Sequence, residues 1–289
     1  MRLSAETTAV VLDSTADLPR DHERPTWRVV PLYVRFGDDV FREYVDISTE
    51  EFYRRLRESS TPPKSSQPSP ADFEAVFREL EGFERILCIV LSSKISGTFA
   101  SAELAAESVG EGRVRVIDSG VTCGGTVILA DAVQRRLDRG TDDEEIDALV
   151  ERFRRERGLL FTVDTLEYLV RGGRIGKAAG LAGQLLSVKP ILAFDDGEVA
   201  PLKRVRGRSK ALAELEEIFT SSTEGQDDPS LHVGVGHAEA EADCERLVRR
   251  LRAARPQASL DIVTKLGPVI GTHGGPGTLG LFWFWDPER

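Results

Sequence analysis

The feature that most constrains the fold is a repeated order of apolar run, polar loop and helical pattern in the first half of the chain. Three runs rich in β-branched and apolar residues, Val10–Leu12, Arg85–Leu91 and Val114–Ile117, each end in acidic or hydroxyl residues. Buried strands alternating with helices predict a parallel sheet with helices on both faces. Ligands of such sheets bind at the carboxyl ends of the strands, so we expect a site near Ser92–Thr98.

The second half follows a different pattern, in which a strand pair comes before the next helix. Pro190–Phe194 and Glu198–Val205 are extended runs separated by an Asp-Asp-Gly sequence at 195–197, which is typical of a hairpin turn. We therefore predict two α/β domains. The N-terminal domain, 1–157, is expected to be Rossmann-like with a parallel sheet, and the C-terminal domain, 158–289, to have a mixed sheet.

Four local predictions concern the remaining segments near the expected site. Val29–Val34 with Phe36 is expected to be one extended segment, and 59–68, rich in Ser, Thr and Pro, to be a loop. A helix is expected to follow Ile175 as far as about Ser187. The segment Gly267–Gly277 is expected to be a glycine-rich loop.

The composition disfavours several classes of function. The net charge of −10 repels phosphate backbones and anionic headgroups, so nucleic acid is not expected as a partner. The cysteines Cys88, Cys123 and Cys244 are far apart and form no metal-binding or disulfide pattern. No apolar stretch reaches membrane-spanning length and no signal peptide is recognised, so we expect a cytoplasmic protein without stable membrane insertion.

Two polar segments are candidates for binding an oxygen-rich group. Ser92, Ser93, Ser96 and Thr98 lie at the start of a predicted helix, where free N–H groups and the helix dipole attract an anion or a carbonyl oxygen. The alternative is that one serine caps the helix and the others face solvent. His273 is held between glycines and prolines, which favours a functional role over a solvated one.

The Arg-Gly-Gly-Arg stretch at 171–174 has two interpretations that the sequence leaves open. Its guanidinium groups could bind a carboxylate or a phosphate in bidentate fashion. Equally, Gly172 could end a helix and leave both arginines in surface ion pairs.

A serine acyl hydrolase is the alternative function. Ser96 has a strand–turn–helix context, and His273 could be its base, with Asp13 or Asp118 orienting the imidazole. A nucleophile elbow, however, needs glycine two residues before and two after the serine. Lys94 and a threonine stand there, so Ser96 is a weak nucleophile candidate.

Six stretches, taken together, resemble the DegV family. They occur in the family's order and span nearly the whole chain. They are Val11–Pro19, Ser65–Pro70, Leu91–Ala102, Tyr168–Ile175, Val205–Ala211 and Gly267–Gly277.

The resemblance implies a two-domain protein that binds one long-chain fatty acid between its domains. In bacteria, such proteins are the fatty-acid-binding subunit of a fatty acid kinase. They present the carboxyl group to a separate ATP-dependent kinase subunit, and the acyl phosphate enters phospholipid synthesis. On this view the chain is a carrier without a complete active site, and its ligand is a fatty acid rather than a cofactor or a metal.

The resemblance also implies a set of site residues, in which Ser96, His273 and a hydroxyl from Ser65 or Ser66 share one hydrogen-bonded network. Arg174 and Arg206 are expected to support the site or to contact the partner or a phosphate. A third interpretation, a regulatory module for another small carboxylate or phosphate, stays open. The expected carboxyl-binding residues are Ser65, Ser66, Ser96, Gly97, Thr98, Thr272 and His273.

Overall fold

A computed structural model describes residues 2–110, 112–181 and 188–287. The described strands are β1 (Arg2–Leu3), β2 (Thr8–Asp13), β3 (Trp27–Val30), β4 (Tyr33–Phe36), β5 (Asp39–Arg42), β6 (Lys64–Ser66), β7 (Arg85–Val90), β8 (Val114–Asp118), β9 (Thr141–Asp142), β10 (Gly158–Thr162), β11 (Val188–Asp195), β12 (Glu198–Arg206), β13 (Leu231–His237), β14 (Ser259–Lys265) and β15 (Leu279–Trp285). The described α-helices are α1 (Thr49–Glu58), α2 (Pro70–Glu79), α3 (Thr98–Ser108), α4 (Gly124–Arg139), α5 (Asp143–Glu156), α6 (Glu167–Arg171), α7 (Arg208–Ser222), α8 (Glu241–Ala254) and α9 (Pro268–Gly274).

The predicted parallel sheet is confirmed in the first half. Its strand order is β3-β2-β7-β8, and every neighbouring pair is parallel. Because successive side chains of a strand point to opposite faces, Val10 and Leu12 pack in one core cluster with α4 residues, whereas Val11 and Cys88 pack in another with α2 and α3 residues. Both faces of the sheet are therefore covered by helices.

The mixed sheet of the second half is also confirmed. Its order is β12-β11-β10-β15-β13-β14, and only β13 and β14 are parallel. The predicted hairpin is the pair β11 and β12, which places the Asp-Asp-Gly turn at its tip. One face of this sheet packs with residues of α7 and α8, and the other contributes Leu159, Phe282 and Phe284 to the cluster that contains α4.

Helix α4 joins the two halves of the molecule. Twelve of its sixteen residues are buried, as expected for a helix that is covered on most sides. A side chain at Gly124 would meet the ring of Phe282 at 3.0 Å, so glycine allows α4 to approach β15 closely. The predicted boundary at 157/158 stays a prediction, and the first strand of the mixed sheet begins at Gly158.

Two predictions in the first half were wrong. The expected single segment from Val29 is two strands in different sheets, because Pro31 lacks an N–H and the N–H of Leu32 donates to the hydroxyl of Ser14 instead. The expected loop at 59–68 contains β6, which pairs antiparallel with β4 and forms a three-stranded sheet with β4 and β5.

Two predictions in the second half also need correction. The expected glycine-rich loop contains α9, which begins with Pro268 at its first position and ends before Gly275, whose φ is 74°. After Ile175 the structure has a 3-10 helix, Gly176–Leu181, and the rest of the expected helix lies outside the described residues. Within the described ranges, none of the helices has both the length and the apolar composition that crossing a membrane requires.

Candidate ligand-binding site

A cavity of about 350 Å³ lies where the two halves meet. Its walls are mainly aliphatic and aromatic side chains from the mixed sheet, from α6 and α9 and from loops of the N-terminal half. Its polar residues include His273, Ser65 and Ser96. The lining residues are Leu32, Ser65, Ser66, Gln67, Leu91, Ile95, Ser96, Thr122, Cys123, Leu159, Phe161, Leu169, Arg174, Phe194, Val199, Leu266, Val269, Ile270, His273, Gly274, Thr278, Gly280 and Phe282.

Ser65 and His273 form the central polar contact of this cavity. The hydroxyl of Ser65 and Nε2 of His273 are 2.7 Å apart. Ser65 lies on β6 and His273 on the last turn of α9, so the bond connects the two halves of the chain. The next two residues along the chain, Ser66 and Gln67, also line the cavity and are exposed, which places this part of the cavity nearer to the surface.

Ser96 lines the same cavity from the loop between β7 and α3. Its hydroxyl is 2.8 Å from the hydroxyl of Thr98 and accepts a hydrogen bond from the N–H of Thr98 at 3.3 Å. Among the described residues these groups form two separate pairs, Ser65 with His273 and Ser96 with Thr98, and the expected single network stays a prediction. Ser65 and Ser96 both line the cavity, whereas Thr98 does not.

The imidazole of His273 is held in a neutral form. Burial, together with the nearby positive charge of Arg174, lowers the pKa of His273 to about 4. At neutral pH the ring therefore carries one proton. Nδ1 is buried and has no hydrogen-bond partner among the described residues, so Nε2 is the nitrogen available to Ser65 or to a ligand.

Glycine at 172 makes this placement of the imidazole possible. A Cβ at Gly172 would lie well inside van der Waals contact with Nδ1 of His273. The carbonyl of Gly172 accepts a hydrogen bond from Nη1 of Arg174 at 2.8 Å, and Nε of Arg174 donates to the carbonyl of Ile95 at 3.0 Å. Arg174 therefore ties the loop after α6 to the loop that carries Ser96.

A second, shallower cleft adjoins the cavity. It has a volume of about 380 Å³, and Ile95, Ser96 and Arg174 line both spaces. Gly97 and Lys94 line the cleft only. A group held at Ser96 is therefore accessible from the cavity on one side and from a polar surface cleft on the other.

Three of the expected residues, Thr98, Thr272 and Arg206, line neither the cavity nor the cleft. The hydroxyl of Thr272 donates to the carbonyl of Pro268 at 2.8 Å, so this side chain supports α9. Arg206 is exposed at the end of β12. Arg171 forms an exposed ion pair with Glu167, as expected if this arginine lies at the surface. Arg174, in contrast, lines the cavity.

The arrangement does not form the triad of the hydrolase alternative. His273 bonds to Ser65, whereas the hydroxyl of Ser96 bonds to a threonine. Asp13 and Asp118 accept hydrogen bonds from groups of the neighbouring loops. Among the described residues, no carboxylate is bonded to the imidazole, so nothing orients it as the base of a triad.

Sequence reasoning missed the apolar wall and Gln67. Phe161, Phe194 and Phe282 lie on three different strands of the mixed sheet, and only the packing of that sheet brings them to one cavity. Gln67 follows the two serines of β6 directly, and a Cβ at Gly97 would meet its amide nitrogen at 2.5 Å. Its position in the Ser-Ser-Gln-Pro stretch, directly after two expected site residues, is the sequence feature that could have indicated Gln67 as a lining residue.

The fold and the cavity together define a small-molecule-binding protein with an apolar pocket and one polar end. A family model described as "Uncharacterised protein, DegV family" matches residues 7–286. The chain belongs to the DegV family.

Similar proteins carry the same family name or describe fatty acid binding. A DegV domain-containing protein of Halalkalibacterium halodurans is 38% identical and aligns over 96% of this chain and 98% of its own length. A fatty acid-binding protein of Thermotoga maritima is 36% identical over 94% of this chain and 96% of its own. The structure of a DegV family protein from Thermus thermophilus, described for its fatty acid binding, superposes with a TM-score of 0.91 at 37% identity, covering 97% of this chain and 100% of that one.

Proposed function

We propose that this chain binds one long-chain fatty acid, with the hydrocarbon tail in the cavity and the carboxyl group at Ser65, Ser96 and His273. The observation that carries the proposal is the combination of a mainly apolar cavity of about 350 Å³ with the hydroxyl–imidazole pair of Ser65 and His273 in its lining. This volume lies near the lower limit of ligand pockets, about 300–1,000 Å³, and suits one acyl chain better than a two-chain lipid.

The energetics agree with a lipid ligand. Burial of each methylene contributes about 0.8 kcal/mol, so an acyl chain of about sixteen carbons gains roughly 10 kcal/mol before ordering costs. The tail thus supplies most of the affinity. The carboxyl group must still find hydrogen-bond partners, because an unpaired buried carboxylate costs several kcal/mol. The two serine hydroxyls and Nε2 of His273 supply them.

The carboxyl group in this arrangement also remains accessible to a second protein. Ser96 lines both the cavity and the polar cleft, and Lys94 and Arg174 add positive charge along the cleft. We infer that the cleft is where a separate ATP-dependent kinase subunit reaches the carboxyl group. This chain is then a carrier that presents its ligand, and Arg206 is an exposed contact for the kinase or for the phosphate.

Mass spectrometry of the protein purified from bacteria tests the ligand. Native spectra are expected to show one fatty acid per chain, and organic extraction is expected to release it. A protein that carries no lipid and binds none when fatty acids are added would contradict the proposal. A carried carboxylate too short to fill the cavity would favour the regulatory-module interpretation instead.

Replacing Ser65 or Ser96 with alanine is expected to weaken binding of cis-parinaric acid, a fluorescent fatty acid, about tenfold for each variant. Each variant removes one donor to the buried carboxyl group, and the acyl tail still holds the ligand. Fluorescence titration measures the dissociation constant. Ser221→Ala, an exposed serine on α7, is the matched control and should bind like the wild type. Equal affinities for all variants would place the carboxyl group elsewhere.

The kinase step has its own test. The fatty-acid-loaded protein is mixed with an ATP-dependent fatty acid kinase subunit and ATP, and hydroxylamine traps any acyl phosphate as a hydroxamate. Product is expected only when all three components are present. Arg206→Ala is expected to reduce the rate while cis-parinaric acid binding is unchanged, because Arg206 lies outside the cavity. Product without the added kinase would overturn the carrier role.

A further inference from the structure

Two buried carboxyl groups hold the first turn of α9, the helix that carries His273. Oδ1 of Asp17 accepts a hydrogen bond from the N–H of Gly267 at 2.9 Å. Oε1 of Glu43 accepts one from the N–H of Val269 at 2.7 Å. The residue between, Pro268, has no N–H. The free donors at the start of this C-terminal helix are thus satisfied by two acids from the N-terminal half.

The pair is held rigidly and lies outside the cavity. Asp17 is 2% exposed and Glu43 is 1% exposed. The hydroxyl of Tyr44 donates to Oδ1 of Asp17 at 2.5 Å, and the hydroxyl of Ser14 donates to Oε2 of Glu43 at 2.5 Å. Neither acid is among the residues that line the cavity, so any effect on a ligand must pass through α9.

We propose that Asp17 and Glu43 are positioning residues, which clamp the start of α9 so that His273 meets the ligand carboxyl group. The proposal rests on the proposed function for the identity of that ligand. Helix α9 has seven residues and so spans about 10 Å. The acid pair fixes one end of it and the bond from Ser65 to His273 fixes the other, which means that a shift at the start of the helix moves the imidazole.

The protonation of the pair supports this role. Burial raises the pKa of Glu43 to about 7. Burial, and then the charge of Glu43, raise the pKa of Asp17 well above its usual value. Two adjacent buried carboxylates repel each other, so the pair retains a proton at neutral pH. As the pH rises through about 7, Glu43 ionises. Its hydrogen bonds from Ser14 and Val269 favour the charge, but the cost of burying the charge is larger, so the buried arrangement at the start of α9 loses stability.

Other titratable groups face the pair, and the effects of their titration have to be distinguished from those of the pair. The nearest are Asp13, Tyr44, Tyr53 and Cys123, and burial raises the pKa of each of them. The tyrosines and the cysteine therefore stay protonated well above neutral pH. The cations Arg24, Arg28 and Lys265 line a cleft together with Asp17, and Lys265 lies over the ring of Tyr53 and forms an ion pair with Glu239.

A pH series of ligand binding tests the clamp. The dissociation constant of cis-parinaric acid for the wild type is expected to rise about tenfold between about pH 6 and about pH 9, with a midpoint near 7. Glu43→Gln mimics the protonated acid, since its amide carbonyl still accepts from Val269. This variant is expected to bind equally well across the series. Titration of the ligand itself and of Asp13 is common to both proteins and cancels in the comparison.

Glu50→Gln is the matched control, because Glu50 is an exposed acid in the first turn of α1. It should keep the wild-type profile. Parallel profiles for the wild type and Glu43→Gln would overturn the clamp. If Glu43→Gln does not fold, Ser14→Ala provides a second comparison, because loss of the hydroxyl that donates to Oε2 of Glu43 is expected to move the midpoint to higher pH.

A measurement on the ligand-free protein distinguishes failure of the clamp from failure of the proposed function. The NMR signals of the His273 ring, assigned with His273→Ala, are expected to shift in a step near pH 7 in the wild type and not in Glu43→Gln. The imidazole itself titrates at about 4, so such a step reports the acid pair. A step without fatty acid binding supports the clamp and contradicts the proposed function. Absence of the step, or an equal step in both proteins, overturns the clamp.

Discussion

Replacing Gly172 with alanine is expected to weaken binding of cis-parinaric acid about tenfold or more while the chain still folds. The backbone at Gly172 has φ −75° and ψ −9°, which alanine adopts without strain. The added methyl group, however, would overlap Nδ1 of His273 and lie 3.1 Å from the carbonyl of Tyr168. The imidazole must then move, and its 2.7 Å contact with Ser65 is lost.

Two comparisons make this expectation specific. Gly180→Ala is the matched control, since a Cβ at Gly180 has no neighbour within 4 Å among the described residues, and it should bind like the wild type. In a His273→Ala background, Gly172→Ala should cause little further loss, because the clashing ring is gone. Wild-type affinity for Gly172→Ala, or an equal loss in both backgrounds, would show that the glycine does not act through His273.

The sequence predicted the sheets well, because their strands are local patterns. Val10–Leu12, Arg85–Leu91 and Val114–Ile117 are short apolar runs followed by polar residues, and such runs form buried parallel strands. The hairpin of the second half followed from its turn residues. Ligands bind at the carboxyl ends of parallel strands, and this rule indicated the hydroxyl groups after β7 as a candidate site.

The elements that build the polar end could not be predicted in the same way. Strand β6 is three residues long and is defined by pairing with β4. Helix α9 contains glycines that favour a loop locally, but a Cβ at Gly271 would meet the ring of Phe52 at 2.6 Å. Tertiary packing therefore selects both the helix and its glycines, and packing of this kind overrides local propensity.

The acid pair was also invisible in the sequence. Asp17 and Gly267 are 250 positions apart, and Glu43 and Val269 are 226 apart. An isolated Asp and an isolated Glu give no signal that they will meet at one helix end. The glycines and prolines around His273 predicted that it lies at the site, but what holds His273 in place depends on contacts between the two halves.

Replacing Asp286 with asparagine is expected to lower the free energy of unfolding by about 3–5 kcal/mol. Asp286 is 1% exposed, and its two oxygens accept hydrogen bonds at 2.5–2.9 Å from Arg135, Arg136 and Arg152. Asparagine keeps the shape but leaves three guanidinium groups without the anion between them. Urea denaturation measures the change. Glu156→Gln, which removes a more exposed partner of Arg152 at 3.7 Å, should cost about 1 kcal/mol or less.

The same comparison has a defined pH dependence. Burial alone would raise the pKa of Asp286, but Arg136 and Arg135 lower it to about 2, from an ordinary value of 3.8. A carboxyl group whose pKa is depressed by folding stabilises the protein above its unfolded pKa, and this contribution is lost as the pH falls through the folded one. The difference in unfolding free energy between the wild type and Asp286→Asn should therefore be constant near neutral pH and shrink between about pH 4 and about pH 2. If the difference in unfolding free energy stays constant throughout this range, the charge of Asp286 does not stabilise the contact between α4, α5 and the end of β15.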